Sequence, residues 1–131
     1  MTTRDEAEAE IRDTLGLVPE MFRVLPDALL GSEWESFETL QLSETAIPSK
    51  YKELIGLGIS GATRCRYCAY YHAEAARLFG ATEEEITEAM LFAKSSMGWS
   101  TFINGMQLDY ETFRREFDAI VAHVRATAAA V

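Results

Sequence analysis

The sequence predicts an all-α protein, and three observations carry that prediction. All three prolines, Pro19, Pro26 and Pro48, lie in the first part of the chain, and residues 49–131 hold none. Apolar residues recur at spacings of three and four, the period of one helix face. No run alternates apolar with polar residues over a length that would make a strand, and there is no internal repeat or low-complexity linker.

The first helix is expected over about Thr3 to Leu15, Glu/Ala-rich with Ile11 and Leu15 four apart, and Gly16 stops it. A short second segment runs from about Pro19 to Leu25. Pro26 opens a third, about Asp27 to Ser43, in which Leu30, Trp34, Phe37 and Leu40 form an apolar stripe. Pro48 suits a first helical turn, and a fourth helix follows to about Ala62. Leu54, Ile55, Leu57 and Ile59 make that helix apolar nearly all round, the pattern of a buried helix. Gly56, Gly58 and Gly61 within it each cost about 1 kcal/mol in helix propensity, so close packing against another backbone is the expected compensation. A fifth helix is expected over about Arg64 to Phe79, stopped by Gly80. Thr82 followed by Glu85 is a capping box that starts a sixth, ending near Ser96. Gly98 to Gly105 reads as a separate short piece with Trp99, Phe102 and Ile103 on one face. Asp109 caps an eighth helix carrying Phe113, Phe117, Ile120, Val121 and Val124, and the tail from Ala126 is expected to fray.

A length of 131 residues and a mass of 14.7 kDa predict one domain spanning 1–131, in which folding hides roughly two-thirds of the unfolded surface. Twenty-one acidic against twelve basic residues leave a net charge of −9, which repels phosphate backbones and anionic headgroups and argues against nucleic-acid or membrane-surface binding. Residues 1–10 carry Asp5, Glu6, Glu8 and Glu10 and no apolar stretch, so no secretory leader is expected there. Apolar runs such as Ala89 to Ala93 stop far short of the roughly 18 residues a spanning helix needs. The expected compartment is the cytoplasm, where thiols are kept reduced and a close cysteine pair reads as catalytic or metal-binding.

That pair lies in the segment Ala62-Thr63-Arg64-Cys65-Arg66-Tyr67-Cys68-Ala69-Tyr70-Tyr71-His72. On a helix, spacings of three and four put Cys65, Cys68 and His72 along one face. A helix N-terminus, a neighbouring imidazole, and the cations Arg64 and Arg66 would all favour a thiolate. Two thiols at this spacing can also close a small disulfide ring and cycle between dithiol and disulfide. A haem c site would need His where Ala69 stands, and an iron–sulfur cluster would need about four cysteines. Zinc on Cys65, Cys68 and His72 lacks a fourth ligand, since His123 sits on a distant amphipathic helix. A thioredoxin domain would place a strand before the motif, and here a helix precedes it. Two buried thiols serving as small apolar residues would not require His72 in register. Glu53, on the preceding helix, is the candidate to orient the imidazole if a short turn around Gly61 to Arg64 folds the two helices into a hairpin.

At these residues the chain resembles the AhpD-like group of the carboxymuconolactone decarboxylase superfamily, the group of the alkylhydroperoxidases. The family motif is a Glu, eleven residues, then Cys-x-x-Cys-x-x-x-His, and Glu53, Cys65, Cys68 and His72 match each spacing. The resemblance covers about Pro48 to Ala93 and extends weakly to Gly16-Leu17-Val18-Pro19. It implies an all-α domain with the cysteine pair at the N-terminus of a central helix, assembled as trimers or hexamers, with thiol-dependent peroxidase activity. It implies Cys68 as the sulfur that attacks peroxide, Cys65 as proton donor and resolving thiol, and His72 with Glu53 as the proton relay. A hydroperoxide is the implied substrate, and a lipoyl-bearing or thioredoxin-like dithiol protein the implied reductant. No cofactor or metal is called for. Tyr67 stands where some members carry a second His. Tyr67, Tyr70 and Tyr71 crowd the motif, and Trp99 and Phe102 are candidates for core, subunit interface or the wall of a hydroperoxide pocket. Two other readings compete: a non-enzymatic redox-sensing module, and a lyase of the carboxymuconolactone type, whose true members generally lack the cysteine pair.

Overall fold

The computed structural model describes residues 3–129, and within them every regular element is helical. The elements are α1 (Arg4–Leu15), α2 (Glu20–Arg23), α3 (Asp27–Phe37), a π-helical turn (Glu38–Leu42), α4 (Ser49–Thr63), α5 (Arg66–Leu78), α6 (Glu83–Gly105) and α7 (Tyr110–Ala129). They fall into two compact units, the first running to Met90 and the second starting at Leu91.

Local signals set most of the boundaries. Thr3 and Glu6 form a capping box at α1, and Gly16 ends that helix with φ at +83°, a conformation that favours glycine. Gly80, at φ +89°, does the same after α5. The amide of Glu85 donates to Thr82 Oγ1 and the amide of Thr82 donates to Glu85 Oε1, both at 3.1 Å, completing the expected box before α6. Asp109 Oδ2 accepts the Thr112 amide at 2.8 Å and caps α7. Pro19, Pro26 and Pro48 each sit just outside a helix, at its N-cap.

One expectation needs refining and three need correction. The third helical run reaches Leu42 as expected, but after Phe37 its last turn widens from α to π. The expected sixth and seventh pieces are one helix of 23 residues, because Gly98 keeps a negative φ and no proline interrupts the run. A lone glycine lowers helix propensity without breaking the ladder. α4 is buried on one side only: Ser49, Glu53, Gly56, Leu57 and Ser60 are covered, whereas Ile55 and Ile59 face outward. The tail is helical as far as Ala129, and the last two residues lie outside those described.

In the first unit Ala7, Ile11, Val18, Phe22, Leu30 and Trp34 form the core, with Leu15, Leu25, Phe37 and Leu42 packed around it. Its aromatic rings continue toward α5. Phe22 meets Trp34 and Phe37 edge-on at 5.6 and 5.3 Å, Phe37 lies 6.1 Å from Tyr71, and Tyr71 lies 5.0 Å from the ring of His72. Arg4 ties α1 to the start of α3 through Asp27 and the carbonyl of Leu25. In the second unit no described residue is buried, and Phe92, Trp99, Phe102, Phe117 and Val124 are among its exposed apolar side chains. Among the described residues no helix is long and apolar enough to cross a membrane.

Candidate active site

α4 and α5 pack as an antiparallel hairpin, and its turn builds the site. Arg64 closes α4 in the left-handed region at φ +56°, and Cys65 follows in extended conformation as the N-cap of α5. Cys65 is therefore outside the helix, not on its face with Cys68 and His72 as the spacing suggested. A cap residue must turn its side chain back toward the first free amides. Cys65 Sγ accepts the Cys68 amide at 3.2 Å, and the Cys65 amide donates to the Ser60 carbonyl at 3.0 Å. Cys65 and Cys68 are joined as a disulfide, with Cα atoms 5.3 Å apart.

One turn further along α5, His72 points into the hairpin. Its Nδ1 lies 2.6 Å from Glu53 Oε2. An ionised carboxylate only accepts, so a neutral imidazole in this pair donates from Nδ1 and has its lone pair on Nε2. Glu53 is 1% exposed and the His72 side chain 16%, so the bond is almost wholly withdrawn from water. A buried carboxylate requires such a partner. Ser60 is buried on the same face of α4, its hydroxyl donating to the Gly56 carbonyl at 2.7 Å.

Sequence reasoning named Glu53, Cys65, Cys68 and His72, and the fold brings all four to the α4–α5 hairpin. It placed the three tyrosines of the motif together without separating them. Tyr67 and Tyr70 are exposed, with the Arg66 guanidinium 5.4 Å from the Tyr67 ring, whereas Tyr71 is half-buried between Phe37 and His72. Burial, reinforced by the Glu53 carboxylate, pushes the Tyr71 phenol up to about 12. Because the unfolded phenol ionises near 10, the unfolded chain holds fewer protons between about pH 10 and 12, and the stability contributed by Tyr71 is lost as pH rises through that window. Denaturation midpoints should fall more steeply there for the wild type than for Tyr71→Phe. Equal slopes would remove Tyr71 from the account. The clefts that Trp99 lines hold only residues 91–104 of the second unit, and none of the four motif residues lines them. Among the described residues no group of three or more His, Cys, Asp or Glu is arranged to hold a metal ion.

A family model, carboxymuconolactone decarboxylase family, matches residues 28–109, which take in the whole hairpin. The chain belongs to the carboxymuconolactone decarboxylase family. Within that family it falls in the AhpD-like branch: the alkylhydroperoxidase AhpD core of Rhodospirillum rubrum is similar over 83% of this chain and 84% of that one, with 31% identity and a TM-score of 0.72. A candidate carboxymuconolactone decarboxylase from Burkholderia xenovorans shares the fold, with 21% identity, a TM-score of 0.55, and coverage of 91% of this chain and 93% of that one. Comparison with curated proteins finds no significant match. The all-α fold is thus shared with both solved structures, and in this chain, whose Cys-x-x-Cys opens α5, Arg66 and Tyr67 stand between the cysteines.

Proposed function

We propose that this carboxymuconolactone decarboxylase family member is a thiol-dependent peroxidase that reduces hydroperoxides through a Cys65/Cys68 dithiol–disulfide cycle with a Glu53/His72 proton relay. The observation that carries the reading is the buried Glu53–His72 hydrogen bond in the hairpin whose turn bears the paired cysteines. A buried carboxylate fixing one imidazole tautomer is what proton transfer requires, and a structural thiol pair would not need it.

In the reduced enzyme, His72 Nε2 takes the Cys68 thiol proton. Cys68 thiolate then attacks the outer oxygen of the hydroperoxide, an S–O bond forms as the O–O bond breaks, and the departing alkoxide takes the Cys65 thiol proton and leaves as an alcohol. The Cys65 thiolate so formed attacks the Cys68 sulfenic acid, the S–S bond forms as the S–O bond breaks, and the departing hydroxide takes the proton held by His72 and leaves as water. The amide of Cys68 donates to Cys65 Sγ, so negative charge on Cys65 is stabilised both when it resolves the sulfenic acid and when it leaves during reduction. A dithiol protein of lipoyl or thioredoxin type attacks Cys68, and its second thiol completes the exchange, taking up the disulfide and returning two protons and two electrons to the pair. The assignment of Cys68 as the attacking sulfur and Cys65 as the resolving one follows the resemblance, and the hydrogen bond that the Cys68 amide donates to Cys65 Sγ supports Cys65 as the leaving sulfur.

The test is steady-state consumption of an organic hydroperoxide with dihydrolipoamide as donor, wild type beside Cys68→Ser. We assign the protein to the cytoplasm, where such donors are reduced, and propose that it works as a homo-oligomer, a trimer or hexamer by resemblance. The apolar residues exposed on the second unit support assembly, since uncovered patches of that kind mark interaction surfaces. Light scattering should report a mass that is a multiple of 14.7 kDa, and a monomer at micromolar concentration would contradict the assembly.

A further inference from the structure

Gly56 sits in the interior of α4, where glycine is the poorest residue short of proline, and it is buried. A Cβ built on it would lie 2.5 Å from His72 Nδ1, 2.7 Å from Nε2 and closer still to Cε1. Nearly equal distances to three consecutive ring atoms mean that the missing methyl would land on the face of the imidazole, not its edge. Gly61, also in α4, would meet nothing within 4 Å, so the helix does not require glycine everywhere along its length. Glu53 lies three residues before Gly56 on the same buried face, and Tyr71 meets the His72 ring edge-on. One face of α4 thus supplies both the carboxylate that binds the ring and the bare backbone against which the ring lies. The Ser60 hydroxyl on the Gly56 carbonyl and the Ser60 carbonyl on the Cys65 amide join this slot to the cysteine turn.

We propose that Gly56 is a positioning residue for His72: its missing side chain creates the slot that lets the imidazole reach Glu53 with Nδ1 while holding Nε2 for the cysteine pair. An alanine methyl would overlap Nδ1 itself, so the ring must withdraw by much of an ångström, and the hydrogen bond to Glu53 is the first interaction to break. The geometric claim stands on the structure alone, and its catalytic consequence rests on the peroxidase reading above.

The chain has two histidines, His72 and the exposed His123, so imidazole resonances are assignable by replacement. The Nδ1–H proton of His72, bound to a carboxylate, should give a far-downfield proton NMR line in the wild type and in Gly61→Ala, and none in Gly56→Ala. Hydroperoxide turnover should fall at least tenfold in Gly56→Ala and stay within twofold in Gly61→Ala. Denaturation midpoints give a second, independent reading. Gly56→Ala should lower the midpoint in the wild type and raise it in a Glu53→Gln/His72→Ala background, where the ring is gone and only the helix-propensity gain remains. A retained downfield line in Gly56→Ala, or a lowered midpoint in both backgrounds, overturns the proposal. Loss of the line with unchanged turnover upholds the positioning and overturns the relay.

Discussion

Cys68→Ser is expected to consume hydroperoxide no faster than the uncatalysed reaction with dihydrolipoamide, a loss of at least about a thousandfold for removal of a covalent nucleophile. Serine keeps the shape of the residue at the third position of α5 but offers a hydroxyl in place of a thiolate, and it forms neither sulfenic acid nor disulfide. Cys65→Ser should behave differently. Its Cys68 still attacks peroxide once, so one equivalent is consumed and a sulfenic acid trappable by dimedone accumulates on Cys68, while steady-state turnover is lost for want of a resolving thiol. The contrast tests the division of labour and not merely the need for two thiols. Wild-type turnover in Cys68→Ser would end the peroxidase reading. Slow, stoichiometric oxidation of the wild type with a change in oligomer size would favour a redox sensor. Activity on a small carboxylate ring that survives replacement of both cysteines would favour a lyase, a chemistry the family name keeps in view.

The second large effect falls on the buried pair. Glu53→Gln preserves side-chain size and one hydrogen-bond acceptor for His72 Nδ1–H, yet removes the negative charge that stabilises the imidazolium formed when a thiol proton is taken. Turnover is expected to fall by about 10²–10⁴, the usual contribution of general acid–base catalysis, with the fold retained. His72→Ala should cost turnover by a similar factor and also cost stability. It strands a carboxylate that is 1% exposed, and breaking a buried pair from one side costs about 3–5 kcal/mol. In the double variant Glu53→Gln/His72→Ala no charge is stranded, so much of that stability should return while activity does not. Denaturant unfolding of the three variants beside hydroperoxide kinetics checks both halves. A His72→Ala protein as stable as the wild type would show that Glu53 finds another partner, and a fully active Glu53→Gln would remove the charge from the mechanism.

Where a local signal sufficed, the chain was legible one element at a time. Gly16 and Gly80 stop helices because the left-handed backbone there favours glycine, and Thr82 with Glu85 and Asp109 with Thr112 start them because a side chain satisfies a free amide within three residues. The four motif residues were legible for the same kind of reason, since residue type and spacing are one-dimensional. Gly98 misled because its cost, about 1 kcal/mol, is smaller than the cooperative gain of an unbroken ladder. Ile55 and Ile59 misled because an apolar side chain on a helix says what may be buried, not what a neighbour covers.

The sequence by itself therefore determined an all-α chain, most of its helix ends, and the spacing of a close cysteine pair from His72 and Glu53. Only the tertiary structure decided that Cys65 is a cap and not a helical residue, that Tyr71 alone of the motif tyrosines turns inward, and that His72 lies against the bare backbone of Gly56. The physical reason is range. Caps and periodicity are settled by neighbours within a turn, whereas the 2.6 Å between His72 and Glu53 depends on how closely two helices approach, and that distance is set by side-chain volumes where they meet.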